Sequence, residues 1–326
     1  MKLKIGGCEL KHGVCLAPMA GYTDSAMRSV CREMGAEYSV TEMVSAKAVS
    51  FSDKKTFQLA RIRECEGNVG VQIFGSEPSV MANAANVLSE AYPEPTFTAP
   101  VAIDINMGCP VKKIFSNGEG SALMKSPLLI EKIVSAVKSA TALPVTVKLR
   151  LGIDPASINV IECARAAEEG GASLITVHGR TRSQLYSGEV DISAIKDVVS
   201  AVSIPVLANG DITDAKSAKE MLDITGAAGI MIGRGAVGNP FIFEEIIDML
   251  EGRETAGVSF ERRTAAALRQ IRLAVSDKGE AVAIPEARKQ IAAYFKGFHG
   301  AASLRAKINT LTTLSELERA IMSMEE

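Results

Sequence analysis

The stretch IDINMGCPVKKIFSNGEGSALM, Ile103–Met124, is the most informative part of this sequence. It continues an apolar run, Val101–Ile105, that has the composition of a buried β-strand. An Asn-Met-Gly-Cys-Pro turn follows, in which Gly108 gives the backbone conformational freedom and the proline after the cysteine fixes φ. Cys109 is therefore predicted to lie on a rigid turn at the carboxyl end of a strand. The alternative is that Cys109 is a small buried hydrophobe, as many free cysteines are.

Similar short apolar runs recur along the chain, and most are followed by a turn and a helical pattern. The predicted strands are Val14–Ala17, Tyr38–Thr41, Val69–Ile73, Val101–Ile105, Val145–Leu149, Leu174–Val177, Val206–Ala208 and Gly229–Ile232. The predicted helices are Thr23–Met34, Pro78–Ala91, Pro127–Ala140, Ala156–Glu168, Ile192–Ala201, Asp214–Asp223 and Pro240–Leu250. The segment Ala46–Ala60 is only weakly periodic.

Eight strand–helix units of this size are typical of a closed (β/α)8 TIM barrel of the α/β class. A doubly wound open sheet has the same alternation and is the alternative. An open sheet gathers its functional residues at one switch point, whereas a barrel takes them from the carboxyl ends of many strands. Here chemically active residues end or follow nearly every predicted strand: Pro18-Met19-Ala20, Glu42-Met43, Gln72, Cys109, Lys148, His178, Asn209-Gly210-Asp211 and Gly233-Arg234. The sequence therefore favours the barrel.

Composition places few limits on function. The chain has 326 residues, of which 47% are hydrophobic and 23% charged, as in an ordinary globular protein. A net charge of −2 gives no overall attraction to nucleic acid or membrane. No apolar run is long enough for a membrane span or a signal peptide, so a cytoplasmic protein is expected. The six cysteines are scattered without C-x-x-C pairs or adjacent histidines, which argues against a zinc site and a disulfide framework.

The pattern changes after Leu250, which predicts a barrel domain over residues 1–250 and a helical domain over residues 251–326. Between Glu261 and Thr310, ten Lys or Arg face four acidic residues, an excess of six positive charges. Aromatic residues such as Tyr294 and Phe298 are interspersed among them. Either this is a solvated helical cap with its own aromatic core, or it is a surface that binds nucleic-acid phosphates and stacks on bases.

Two loops near the end of the barrel predict a phosphate site. Residues 233–238, GRGAVG, match the dinucleotide motif G-x-G-x-x-G, but they follow the last strand and lack the expected acidic residue after a second strand. We therefore reject a Rossmann interpretation. In a barrel, backbone amides after strands seven and eight commonly bind phosphate. Asn209-Gly210-Asp211 and Gly233-Arg234 occupy those two positions.

Three strand-end side chains suit a heterocyclic ligand. Lys148 either extends to solvent or points into the barrel mouth, where it would stabilise negative charge on a reduced ring. Gln72 can donate to and accept from the edge of a heterocycle. His178 is one of three histidines, and at a strand end a ligand contact is favoured over a structural role. Together with a phosphate site, these residues indicate a pocket for flavin mononucleotide (FMN).

Several motifs together resemble the tRNA-dihydrouridine synthases, with the bacterial B-type branch the most similar. The motifs are Ala17-Pro18-Met19-Ala20-Gly21-Tyr22-Thr23-Asp24, Asn106-Met107-Gly108-Cys109-Pro110, His178-Gly179-Arg180-Thr181-Arg182 and Asn209-Gly210-Asp211-Ile212. The resemblance continues as Arg288-Lys289, Tyr294-Phe295-Lys296-Gly297 and Leu304-Arg305-Ala306-Lys307-Ile308-Asn309 in the helical region. It therefore extends over nearly the whole chain.

The resemblance implies an FMN barrel joined to a helical tRNA-binding domain. Its implied FMN contacts are Pro18, Met19, Ala20, Gln72, Lys148, His178, Asn209, Gly210, Asp211, Gly233 and Arg234. NADPH or NADH would reduce the flavin, whose N5 would pass hydride to C6 of a flipped tRNA uridine while Cys109 protonates C5. Implied substrate contacts are Asn106, Arg180, Arg182, Arg288, Lys289, Lys296, Arg305 and Lys307. No metal is expected.

Two other functions are compatible with the residues alone. One is an FMN barrel that reduces free pyrimidines, although a small substrate gives no reason for a basic helical domain. The other is an RNA-binding protein without catalytic activity. A monomer is the simpler expectation for an enzyme that must bind around part of a tRNA.

Residues Pro93–Pro100 are predicted to form an extra loop before the fourth strand.

Overall fold

Short apolar segments form the strands of this chain, as their buried, β-branched composition predicts. A computed structural model describes residues 3–89, 98–255 and 257–324. The strands are β1 (Leu3–Ile5), β2 (Cys8–Leu10), β3 (Val14–Leu16), β4 (Tyr38–Val40), β5 (Val44–Ser45), β6 (Val69–Phe74), β7 (Ala102–Asn106), β8 (Val145–Leu149), β9 (Leu174–His178), β10 (Val206–Asn209) and β11 (Gly229–Ile232). The expected extra loop at 93–100 lies mostly outside the described residues.

Strands β3 to β11 form a closed parallel barrel of eight strands, in which β4 and β5 act as one interrupted strand. Both pair with β6, β4 through Ser39 opposite Val69 and β5 through Val44 opposite Ile73. Closure follows because β3 pairs with β11 on one side and with β4 on the other. The predicted barrel is thus confirmed, and the open-sheet alternative is wrong.

Helices cover the outside of the barrel and form the C-terminal region. They are α1 (Ser25–Glu33), α2 (Ala46–Ser50), α3 (Lys54–Ala60), α4 (Pro78–Ser89), α5 (Lys112–Ser116), α6 (Pro127–Ala140), α7 (Val160–Glu169), α8 (Ile192–Ala201), α9 (Ala215–Thr225), α10 (Ile242–Leu250), α11 (Phe260–Lys278), α12 (Glu280–Tyr294), α13 (Ala301–Ile308) and α14 (Leu314–Met322). The helix predicted over Ala156–Glu168 begins only at Val160, because Asp154 holds residues 154–157 in a turn through bonds from the Ala156 amide and the Ser157 hydroxyl.

Two features escaped the sequence analysis. The weakly periodic segment 46–60 forms two short helices, because Ser45 and Asp53 each cap a helix N-terminus with their side chains. The antiparallel hairpin β1–β2 packs Leu3, Ile5 and Leu10 into a buried cluster with residues from the barrel strands. It is too short to show a clear period-two pattern.

The C-terminal helices share a buried apolar cluster that includes Ile271, Ile291 and Leu317. The cluster extends to Val30 of α1 and to Phe241, so the helical region packs against the barrel. Helix α10 ends at Leu250, where the sequence places the domain boundary. The division into domains 1–250 and 251–326 remains a proposal.

Candidate functional site

A cavity of about 930 Å³ opens at the carboxyl ends of the barrel strands. This size is within the range of pockets that hold a small-molecule ligand. Cys109 and Asn106 line it, and so do all residues predicted to contact the cofactor. These cofactor contacts are Pro18, Met19, Ala20, Gln72, Lys148, His178, Asn209, Gly210, Asp211, Gly233 and Arg234. The fold therefore brings together residues that are more than 200 positions apart in the chain, from Pro18 to Arg234.

Cys109 is held by hydrogen bonds on both sides of its backbone. Its amide donates to Asn106 Oδ1 at 2.9 Å, and its carbonyl accepts from Ser121 Oγ at 2.8 Å. The residue is 8% exposed. Burial raises the pKa of the Cys109 thiol, although the Val111 amide and the Arg150 charge act in the opposite direction. The thiol is therefore protonated at neutral pH and can act as an acid.

The expected role of Gly108 in this turn is wrong. Gly108 does not adopt a left-handed conformation, and a Cβ added there would make contacts of 3.4 Å or more, an ordinary distance. The glycine that the turn requires is Gly120, which has φ +60° and on which a Cβ would lie 2.9 Å from the Cβ of Cys109. The loop after the cysteine folds back so closely that only glycine fits there.

Lys148 points into the cavity and does not extend to outer solvent. Its Nζ donates to Asn209 Oδ1 at 2.9 Å, and Asn209 Nδ2 donates to the Met231 carbonyl at 2.6 Å. Burial lowers the pKa of Lys148 to about 7, with a smaller contribution from the positive charge of Arg150. A partly protonated lysine at this position can respond to a negative charge on a bound ligand.

The two loops predicted to bind phosphate are joined by charged side chains. Asp211, with φ +49°, accepts from Arg180 Nη1 at 2.8 Å and from Arg234 Nη2 at 3.2 Å. Beside them, a Cβ added to Gly210 would lie 3.0 Å from His178 Cδ2. Burial, followed by the charges of Lys148, Arg150, Arg180 and Arg234, strongly lowers the pKa of His178. The imidazole is therefore neutral at physiological pH.

Arg150 and Tyr186 line the cavity, although the sequence analysis proposed no site role for them. Arg150 Nε donates to the Gly108 carbonyl at 2.9 Å, and its Nη1 donates to the carbonyls of Thr181 and Leu185 at 2.9 and 2.8 Å. Tyr186 is 54% exposed, and the Arg234 guanidinium lies 4.8 Å from its ring centroid. The position of Arg150 at the end of β8 was a usable signal, whereas Tyr186 lies in a loop without one.

Arg180 and Arg182, the two arginines of the barrel that are predicted to contact substrate, lie outside the cavity lining. Arg180 is 2% exposed, and besides Asp211 it donates to the carbonyls of Ser187 and Gly188. The Arg182 guanidinium lies 3.7 Å from the ring centroid of Phe115 on α5. Both arginines thus order the loops around the cavity, and their contact with substrate remains a prediction.

The basic excess of the C-terminal helices is partly neutralised within the protein. Arg262 pairs with Glu244, Arg269 with Glu33, Arg272 with Glu318, and Lys278 with Asp24 and Glu286. The basic residues predicted to bind substrate differ from these. Among the described residues, no ion pair is found for Arg288, Lys289, Lys296, Arg305 and Lys307.

Helix α12 lies at the edge of the cavity. Lys289 Nζ is 4.0 Å from the ring centroid of Tyr22, which lines the cavity. A Cβ added to Gly238 would lie 2.4 Å from the carbonyl carbon of Ala293, so the loop after β11 packs directly on this helix. Lys296 follows in the turn just after α12. The C-terminal region therefore places free positive charge beside the barrel mouth.

The described residues contain neither a membrane-spanning helix nor a cluster of metal-ligating side chains. No helix over residues 3–89, 98–255 and 257–324 is long and apolar enough to cross a membrane. The same ranges contain no group of three or more His, Cys, Asp or Glu side chains arranged to hold a metal ion.

Comparison with known proteins identifies relatives along nearly the whole length. The family model described as "Dihydrouridine synthase (Dus)" matches residues 15–325. The "tRNA-dihydrouridine synthase B" of Vibrio parahaemolyticus is 39% identical over 95% of this chain and 94% of its own. A "Probable tRNA-dihydrouridine synthase" of Rickettsia conorii is 40% identical over 95% and 92%. Among solved structures, histamine dehydrogenase from Rhizobium sp. 4-9 superposes with a TM-score of 0.57 at 13% identity, over 83% of this chain and 50% of that chain, which shows the fold alone.

Proposed function

Because the chain belongs to the dihydrouridine synthase family, and to its B type, we propose that this enzyme reduces selected uridines of tRNA to dihydrouridine, with FMN as cofactor and NADPH as reductant. The names of the relatives support tRNA as the substrate. The observation that carries the proposal is that the Cys109 thiol lines the same cavity as the two predicted phosphate loops. An acid and an anion site in one pocket suit reduction of a base beside a phosphate-bearing cofactor.

The charge and the apolar surface of the cavity support FMN as its ligand. At the expected phosphate end, a Cβ added to Gly233 would meet only Met19 Sδ at 3.5 Å and Ala17 Cβ at 3.8 Å. The backbone of Gly233 is therefore open for the close approach of a phosphate. Lys148 and Arg234 supply positive charge nearby, and the apolar side chains of Met19, Met231 and Val237 suit the faces of a flat ring.

The residues that would hold FMN are those that line the cavity and were expected from the sequence: Pro18, Met19, Ala20, Gln72, Lys148, His178, Asn209, Gly210, Asp211, Gly233 and Arg234. When bound, FMN would relay a hydride from NADPH to C6 of the uracil, so that NADPH is oxidised to NADP⁺ and the 5,6 double bond is reduced. Lys148 would stabilise the negative charge of the reduced cofactor. His178 would contribute a hydrogen bond and no charge, since its imidazole is neutral.

Cys109 would donate the proton that C5 of the uracil must receive. The remaining thiolate would then recover a proton from solvent. Burial raises the pKa of the thiol, which keeps the donor form present throughout the neutral range. The uridine must leave its base stack to reach the barrel mouth. Tyr186, exposed at the rim, offers a stacking surface for it, and Arg150 holds the loop on which Tyr186 lies.

The tRNA backbone would be bound next to the cavity by the five C-terminal basic residues expected to contact substrate, for which no ion pair is found in the described structure. Of these, Lys289 is the best placed, because it lies over Tyr22 and α12 packs against a loop that lines the cavity. Phosphate contacts of this kind supply affinity that depends strongly on salt. We further propose that the enzyme acts as a monomer in the cytoplasm.

The proposal is tested by incubating the FMN-loaded enzyme with NADPH and unmodified tRNA, followed by mass spectrometry of the nucleosides. Wild-type protein should yield dihydrouridine. Cys109→Ala should lose product formation by roughly 10²–10⁴-fold, the usual contribution of a general acid, and should still bind FMN. Cys65→Ala is the matched control, since this exposed thiol lies outside the cavity lining. An unmodified tRNA pool, or full activity of Cys109→Ala, would contradict the proposal.

A further inference from the structure

A buried carboxylate lies under the cavity and has no role in the chemistry proposed above. Asp104 is on β7, two residues before Asn106, and is 2% exposed. The strand register places it between Gln72 on β6 and Thr146 on β8. Burial raises the pKa of Asp104 to about 6, while hydrogen bonds from Gln72 and Thr146 and the charge of Lys148 act in the opposite direction. The group is thus mainly ionised above neutral pH and accepts hydrogen bonds.

An unbroken series of hydrogen bonds connects this carboxylate to the backbone of Cys109. Gln72 Nε2 donates to Asp104 Oδ2 at 2.7 Å, and Asn106 Nδ2 donates to Gln72 Oε1 at 2.8 Å. Asn106 Oδ1 then accepts from the amides of Gly108 at 3.2 Å and Cys109 at 2.9 Å. Thr146 Oγ1 donates to the other oxygen of Asp104 at 2.5 Å.

The direction of the series is set at the Asp104 end. A carboxylate only accepts, so Gln72 must turn its NH₂ towards it and its oxygen towards Asn106. Asn106 must then present its own NH₂ to Gln72, which leaves its oxygen for the Cys109 turn. If Gln72 were reversed, two NH₂ groups would face each other, and Asn106 could satisfy them only by withdrawing its oxygen from the turn. Each buried donor left without a partner is costly.

We propose that Asp104 is a positioning residue, whose carboxylate fixes the orientation of the Gln72 and Asn106 amides and so holds the Cys109 turn in place. This inference rests on the proposed function only for the role of Cys109 as the proton donor. Asp104 itself lies below the cavity and does not line it.

The direction of the series can be reversed by two isosteric substitutions. Asn106→Asp keeps an acceptor for the turn but faces the Gln72 oxygen with a second oxygen, while Asp104 prevents Gln72 from rotating. Adding Asp104→Asn supplies an NH₂ for the Gln72 oxygen, so that Gln72 can rotate and donate to the carboxylate introduced at position 106. Thr146 keeps an oxygen acceptor in the double variant. Asp104→Leu in the same background removes the same charge without supplying a donor.

The readout is the rate at which iodoacetamide alkylates Cys109 in the purified protein, measured by mass spectrometry of its peptide. This rate does not depend on turnover or on the identity of the substrate. Asn106→Asp should be alkylated roughly tenfold faster than wild type, as expected for the loss of one or two buried hydrogen bonds. The double variant Asn106→Asp/Asp104→Asn should return to within about threefold of wild type, whereas Asn106→Asp/Asp104→Leu should remain clearly faster, because a rotated Gln72 would have no donor for its oxygen.

Folding of the variants supplies a second measurement. Asn106→Asp alone can fail to fold. In that case the inference is supported if folded protein is recovered in the Asp104→Asn double variant and not in the Asp104→Leu double variant. Thr146→Val should leave the alkylation rate near the wild-type value, since it removes a bond outside the series. Equal behaviour of the two double variants, or an Asn106→Asp/Asp104→Asn variant as reactive as Asn106→Asp alone, would overturn the inference. If the wild-type protein forms no dihydrouridine while the rescue is intact, only the proposed function is contradicted.

Discussion

Replacing Lys148 with Met should stabilise the cofactor-free protein at pH 6.5. The ammonium has a pKa lowered from 10.5 to about 7, mainly by burial, so the folded state holds its charge at a cost. At about 1.36 kcal/mol per pK unit, the cost is at most about 5 kcal/mol. Losing the hydrogen bond to Asn209 Oδ1 takes back about 1–3 kcal/mol. The expected net gain is therefore about 2–4 kcal/mol.

The gain should depend on pH with a defined sign. Between pH 7 and pH 10.5 the folded protein binds fewer protons at Lys148 than the unfolded chain does, so wild-type stability rises with pH across this interval. Below pH 7 the lysine is charged in both states and the full cost remains. The advantage of Lys148→Met should therefore be largest at pH 6.5 and disappear by about pH 10.

Urea denaturation of FMN-free wild type and Lys148→Met at pH 6.5 and at about pH 10 measures the difference in their free energies of unfolding directly. Lys132→Met, on the exposed face of α6, is the control and should show no pH-dependent difference from wild type. The same Lys148→Met protein should bind FMN more weakly, since it lacks one of the cations that line the cavity. If Lys148→Met is no more stable than wild type at pH 6.5, or is equally stabilised at both pH values, burial of the Lys148 charge does not destabilise the folded protein as expected.

Three more predictions follow from particular contacts. Glu66→Gln should lower the free energy of unfolding, measured by urea titration, by about 3–5 kcal/mol. The buried Arg28 Nε lies 2.5 Å from Glu66 Oε2, and the substitution leaves this guanidinium without a counter-charge. A loss below about 1 kcal/mol would contradict this prediction. Since burial raises the pKa of Cys109, turnover should not fall with rising pH below the ordinary pKa of a thiol, and a fall of turnover with rising pH in that range would count against the thiol as donor. Lys289→Gln should raise the KM for tRNA and reduce the salt dependence of that KM, while the affinity for FMN stays constant. Arg272→Gln should change the KM little, because the charge of Arg272 is paired with Glu318. Equal effects of the two substitutions would argue against selective binding by α12.

The positions of strand ends were the part of the site that the sequence could predict. A barrel brings the carboxyl ends of its strands to one face, so Gln72, Lys148, His178 and Asn209 could be placed together without knowledge of their contacts. The same reasoning fails where a residue's function depends on its partners. Asp104 lies in an apolar strand, and only the register shows that Gln72 and Thr146 surround it.

Charge counting along the chain overstates the unpaired basic charge, for a physical reason. The C-terminal segment has an excess of basic residues, but the acidic partners of Arg262, Arg269 and Lys278 include residues of the barrel, far away in sequence. A window of sequence cannot include such partners. The same limit applies to Arg180, whose carbonyl and carboxylate partners bury a guanidinium that the sequence suggested was available to substrate.

The proposed function requires that electrons pass from NADPH through a flavin in this cavity to a uridine of tRNA. Anaerobic absorbance spectroscopy of the FMN-loaded protein tests it most directly. NADPH should bleach the flavin bands, and unmodified tRNA added afterwards should restore them as dihydrouridine forms. Bands that stay bleached with tRNA but return with free pyrimidine would contradict the claim, as would a protein that cannot be loaded with FMN.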